Sequence, residues 1–175
     1  MLTIMNTRVI AESGLFTGLS IVVLIIAAIS PINKLFIAGV SALILEVFIK
    51  RHNPKKAFLV FLPTAIISFL FLPYKSIAIL YIFAFGGYSM IRSMIKTRNL
   101  FVKKTMMVIY ANTALWLLFL FANILFEDFF QKIISGHFWQ NLLFFFVIQL
   151  VILLYDYLLD LASGLLLRKL KAIGF

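Results

Sequence analysis

Apolar residues run through this chain in blocks too long for a soluble core, and the polar residues fall mostly between the blocks. Blocks at 9–29, 33–50, 57–72, 75–95, 103–126 and 138–167 each approach or exceed the roughly 17 residues a helix needs to cross a bilayer. The second and third are the short ones. Pro31 and Asn33 part the first two blocks, Asn53-Pro54 parts the next two, and Pro73 parts the third from the fourth. Proline has no amide hydrogen for a helical ladder, and asparagine favours turns. The pattern predicts an all-α integral membrane bundle of six transmembrane helices, with residues 1–175 forming a single domain.

Charge placement orients that bundle. Counted over alternate connections, Arg8, then Lys50, Arg51, Lys55 and Lys56, then Arg92, Lys96, Arg98, Lys103 and Lys104, and finally Arg168, Lys169 and Lys171 fall on one side. Only Lys34, Lys75 and Lys132 fall on the other. Cytoplasmic connections carry the excess of Lys and Arg, so both termini are expected in the cytosol of a multi-pass protein of the bacterial plasma membrane. The outer connections are then SPINK at 30–34, LPYKS at 72–76 and the longer EDFFQKIISGHFWQN at 127–141. The last reads either as an aromatic belt with solvated charges or as a short interfacial helix or lid.

Composition narrows the classes further. Of the 175 residues 64% are apolar and 13% charged, which leaves no length for a separate soluble domain. The net charge of +10 lies between apolar blocks and not on a solvated basic face, so lipid headgroups are its expected partners and nucleic acid is not. The absence of cysteine excludes disulfides and thiolate metal sites. The first block superficially resembles a signal peptide, but its apolar run is long enough to span and be retained.

No enzyme signature is complete. His52 and His137 fall in connections on opposite sides of the membrane and cannot share a metal, and the chain contains no HExxH, GxSxG, P-loop or GxGxxG. Asp156 and Asp160, in LYDYLLDL, are the residues most in need of explanation, because carboxylates in hydrocarbon are costly and mark function by default. Tyr155-Asp156 echoes presenilin-type proteases, but the partner Gly-x-Gly-Asp is missing. Asp156 and Asp160 match the closing Asp-x-x-x-Asp of CDP-alcohol phosphotransferases, yet position 152 is Ile where that motif needs Gly, and its upstream half is absent. No catalytic residue, metal or cofactor is expected.

Helical spacing gathers Gln149, Asp156 and Asp160 into one stripe on the sixth helix, and Asn112, Trp116 and Asn123 into another on the fifth. Two such stripes on consecutive helices are expected to face each other, through interhelical hydrogen bonds or a substrate. At about 1.5 Å per residue, Asp160 lies roughly 12 Å below Arg168 and Asp156 roughly 18 Å. Both then fall in the cytosolic half, within reach of Arg92. Structural ion pairing is expected for Arg92, Asp156 and Asp160, and likewise for Glu12 with Arg8 and Glu46 with Lys50, each pair one turn apart. Gly14 and Gly18, preceded by Ala11, form a GxxxG that permits close helix approach. Gly86 and Gly87 mark a second close approach or kink.

The first helix, TRVIAESGLFTGLSIVV, together with PYKSIAILYIFAFGGY and the terminal YDYLLDLASGLLLRKL, resembles the substrate-binding S component of energy-coupling factor (ECF) vitamin and metal transporters, or their uncharacterised bacterial relatives. The likeness covers nearly the whole chain in size, helix number and termini. It implies a subunit that binds a vitamin-like small molecule in its outer half and joins a transmembrane coupling subunit and cytosolic ATPase subunits. Family members dock through small residues on the first helix, which here correspond to Ala11, Gly14 and Gly18. A substrate pocket would draw on Tyr74, Lys75, Asn123, Trp139 and Gln149, with Lys75 meeting a carboxylate or phosphate and the aromatic rings stacking. An MreD-like membrane scaffold of cell-wall or cell-shape assembly has similar size and span count and is the competing class.

Overall fold

The computed structural model describes residues 7–95, 99–125 and 138–172. Among them the chain forms helices α1 (Thr7–Ile29), α2 (Lys34–Arg51), α3 (Pro54–Phe71), α4 (Lys75–Met94), α5 (Leu100–Leu125) and α6 (Phe138–Ala172), with no strand. Four helical stretches are long and apolar enough to cross a membrane: α1, α3, α4 and residues Phe146–Lys169 of α6. Large apolar side chains such as Leu15, Val22, Phe69, Phe71, Phe146, Leu154 and Leu158 point outward from these helices. An apolar exterior of this extent is compatible with a multi-pass membrane protein.

The helix boundaries follow local chemistry. Pro54 occupies the first turn of α3, where its missing amide hydrogen costs nothing, and the Asn53 side chain accepts a bond from Lys55 N. Asn33, the residue before α2, takes a left-handed backbone with φ 59°, a conformation asparagine tolerates better than most. At the other end of α3, Lys75 Nζ donates to the carbonyls of Phe69 and Leu70 at 2.7 and 3.0 Å. These carbonyls lie in the last turn, where the intrahelical ladder runs out of donors.

Charge keeps α2 from qualifying as a span by composition, since its 18 residues include Lys34, Glu46, Lys50 and Arg51. It is nonetheless the helix around which the bundle is arranged, touching α1, α3, α4 and α6. The run Ile44–Ile49 is buried on every side, as expected of a helix at the centre of a bundle and not at its surface. On α1 the residues turned inward are small or polar: Ser13, Thr17, Ser20, Ala27 and Ala28, with Leu24 between them. Small side chains let helix backbones approach closely where lipid supplies no hydrophobic drive. One apolar cluster joins Leu24, Ala27, Ala28, Ala38, Leu72 and Tyr81 near the turns that open α2 and α4, and a second joins Val9, Leu45, Phe48, Ala57, Val60 and Met90 toward the opposite end.

A π-helical segment, Tyr81–Phe85, interrupts α4. There Gly86 N–H bonds to the Tyr81 carbonyl, one residue further back than in an α-helix. The Phe83 carbonyl accepts the Tyr110 hydroxyl of α5 at 2.8 Å. Glycine is required at this place. A Cβ on Gly86 would stand 2.8 Å from the Tyr81 ring, and one on Gly87 would stand 2.5 Å from the Tyr110 hydroxyl and closer still to the Ile82 carbonyl oxygen.

Gly87→Ala is therefore expected to destabilise the bundle by about 1–3 kcal/mol, because a backbone oxygen has to move. Gly164→Ala, where an added Cβ meets nothing, should be neutral or stabilising by up to about 1 kcal/mol. Unfolding both variants in mixed detergent–SDS micelles checks the contrast.

Candidate functional site at the Arg92 junction

Arg92 lies in the last turn of α4, where a cation complements the negative end of the helix dipole. Its guanidinium meets carboxylates from two other helices. Nη1 donates to Glu46 Oε1 of α2 at 3.1 Å, and Nη2 lies 2.6 Å from Asp160 Oδ2 of α6. Nε stands 2.8 Å from Asp156 Oδ1, close enough for an ion pair but without hydrogen-bond alignment. The planar fork of arginine is what makes three partners attainable, since a lysine offers one point charge. Lys50, in the last turn of α2, closes the arrangement by donating to Asp160 Oδ1 at 2.8 Å and to Ser163 Oγ at 2.7 Å. The Tyr88 hydroxyl of α4 donates to Asp156 Oδ1 at 3.1 Å.

The junction is graded in exposure. The side chains of Glu46 and Arg92 are 5% and 6% exposed, that of Asp156 23%, and that of Asp160 58%. Aromatic rings pack against its inner side: Tyr155 stacks edge-on against both Tyr88 and Phe85, and Tyr88 lies beside Tyr110. Ala42, Met107, Ala111 and Leu159 complete this cluster between α2, α4, α5 and α6.

Of the residues singled out from sequence, the structure brings Arg92, Asp156 and Asp160 together. It pairs Glu12 with Arg8 at 3.2 Å, and adds Arg51 and His52, whose Nε2 lies 2.6 Å from Glu12 Oε2. Glu46 departs from expectation. Its partner is Arg92 across the helix interface, while Lys50, one turn along, reaches to α6 instead. Asp160 meets Lys50, which lies in the last turn of α2, and α6 runs on past this contact to Ala172.

Among the described side chains, the proposed substrate residues Tyr74, Lys75 and Gln149 have separate partners. Gln149 exchanges amide hydrogen bonds with Asn112 at 2.7 and 3.4 Å, joining the two polar stripes directly. Trp116, on the same helix, points outward. Lys75 is occupied by the α3 carbonyls, and Tyr74 is exposed at the α3–α4 turn with Lys34 Nζ 4.5 Å from its ring centroid. The side chains of Asn123 and Trp139, and residues 126–137 of the long outer connection, lie outside the described residues. Sequence reasoning missed Tyr88, Tyr155 and Ser163. A signal was present, since Tyr88 and Ser163 stand four residues before Arg92 and three after Asp160 respectively, on neighbouring helical positions. Comparison with protein-family models, with curated proteins and with solved structures finds no match in any of the three.

Arg92→Met strands buried carboxylates and is expected to cost about 3–5 kcal/mol, with Arg92→Lys in between. Asp160→Asn, whose side chain is more than half exposed, should cost about 1 kcal/mol or less. Denaturation in SDS-containing micelles orders the three, and an Asp160→Asn loss equal to that of Arg92→Met would refute the graded junction.

Proposed function

We propose that the chain is the membrane-embedded, substrate-binding subunit of an ECF-type uptake transporter for a vitamin-like small molecule. In this reading it spans the bacterial plasma membrane six times with both termini cytosolic, and separate coupling and ATPase subunits energise it. The observation that carries the proposal is the outward face of α1. Ala11, Gly14 and Gly18 are exposed there, and a Cβ added to either glycine meets nothing within 4 Å. The bundle itself uses the other face of the same helix, through Ser13, Thr17 and Ser20. A lipid-facing helix gains nothing from glycine, whereas a second helix can approach a glycine surface closely.

The placement of Glu12 favours the same reading. It lies between Ala11 and Gly14 in sequence, but its carboxylate is drawn to Arg8, Arg51 and His52, which neutralise it beside the small-residue face. At the far end of the bundle, Lys34 over Tyr74 joins the α1–α2 and α3–α4 turns, and Lys75 stands next to them. These are the positive groups that a carboxylate- or phosphate-bearing substrate would meet on that side.

Gly14→Leu and Gly18→Leu are expected to abolish co-purification of a coupling subunit and its ATPases while leaving the unfolding transition unchanged. Retention of those subunits by both variants would remove the basis of the proposal. Recovery of cell-wall enzymes in their place from wild-type protein would favour the scaffold class. Mass spectrometry of small molecules retained by gently purified protein should identify a ring-containing anion.

A further inference from the structure

The Arg92 junction brings three carboxylates into contact with two cations, Arg92 and Lys50. The groups around Glu46 come from four helices: Lys50 on α2 itself, Arg92 and Tyr88 on α4, Lys103 on α5, and Asp160 and Tyr155 on α6, with Asp156 of α6 on the same guanidinium. Helices α1 and α3 contribute none of the junction's ion pairs. Lys103 acts on Glu46 through space without forming an ion pair with it. Among the groups in contact, three carboxylates share two cations, one guanidinium serving all three acids.

The imbalance falls on Glu46. It is the most enclosed of the three acids, and only Oε1 is engaged, by Arg92. Its Oε2 is buried with no hydrogen-bond partner, and so is the Tyr155 hydroxyl that shares its surroundings. An ionised carboxylate with a bare, buried oxygen is among the costliest arrangements a protein can hold, whereas a neutral carboxyl loses far less on burial. A metal ion does not fit the excess charge, because the three carboxylates surround a guanidinium, and no group of acidic or His side chains among the described residues forms a metal cage.

We propose that Glu46 is a proton-binding site. At neutral pH the junction carries one proton on the Glu46 carboxyl, with Oε1 accepting from Arg92 and Oε2 bearing the hydrogen. The charge of Arg92 is thereby left to Asp156 and Asp160. On release, the proton passes to water at the open side of the junction, where Asp160 is solvent-accessible, and Glu46 becomes the carboxylate. Glu46, the most enclosed of the three acids, is the holder of that proton. The site is independent of the transport reading, since it rests on charge balance within this chain alone.

Infrared spectroscopy of the purified full chain, with isotope-labelled glutamate or aspartate, tests the assignment. Glutamate occurs only at positions 12, 46 and 127. At neutral pH the carbonyl stretch of a protonated carboxyl is expected, shifting with labelled glutamate and unmoved by labelled aspartate. It should persist in the Glu12→Gln/Glu127→Gln double variant and vanish in Glu46→Gln. Should Glu46→Gln fail to fold, the labelled wild type and the double variant decide the matter by themselves. A spectrum without that band, a band that follows aspartate, or one lost in the double variant overturns the proposal.

Discussion

A single guanidinium, that of Arg92 on α4, meets carboxylates from both α2 and α6. Among the α6 side chains at 146–169, Leu159 and Ser163 are buried and Tyr155 packs against Tyr88 and Phe85, while Val147, Leu150, Leu154, Leu158 and Leu161 face outward. In water such a helix would be driven inward by its apolar side chains. In hydrocarbon that drive is absent, and specific packing and polar contacts must fix its position. Arg92, Lys50, Tyr88 and the Asn112–Gln149 amide pair supply those contacts. The register of α6 against α2 and α4 is thus set by hydrogen-bond geometry more than by the filling of space.

That geometry depends in turn on how α4 is wound. The π segment Tyr81–Phe85 shifts the phase of every later residue on the helix, Tyr88 and Arg92 among them. Gly86 and Gly87 make the distortion sterically possible, and the Tyr110 hydroxyl occupies the Phe83 carbonyl. A regular helix would present Arg92 at a different angle to Glu46 and the aspartates. The irregular turn and the ionic junction are therefore two halves of one arrangement.

Much of this was legible in the sequence, and the omissions have physical causes. Pro54, Pro73 and Asn33 announced the helix ends because their backbone preferences are local. The meeting of Arg92 with Asp156 and Asp160 was legible because charges within apolar helices must find partners. The partner of Glu46 was not, since spacing along one helix favours Lys50 while the choice is made by the crossing of α2 and α4. Gln149 was expected to meet either a substrate or the polar stripe of α5, two alternatives spacing alone does not separate, and it pairs with Asn112. The π segment leaves no trace in sequence beyond its two glycines.

The position of Glu46 on α2 also governs how the chain is made. Glu46 is synthesised well before its partner, for Arg92 follows 46 residues later. At bacterial or eukaryotic elongation rates of roughly 5–20 residues per second, that interval is about 2–9 seconds. Through it Glu46 is without the guanidinium that meets it in the finished bundle, and α6 has yet to be synthesised. The centre of this protein is laid down first and completed last.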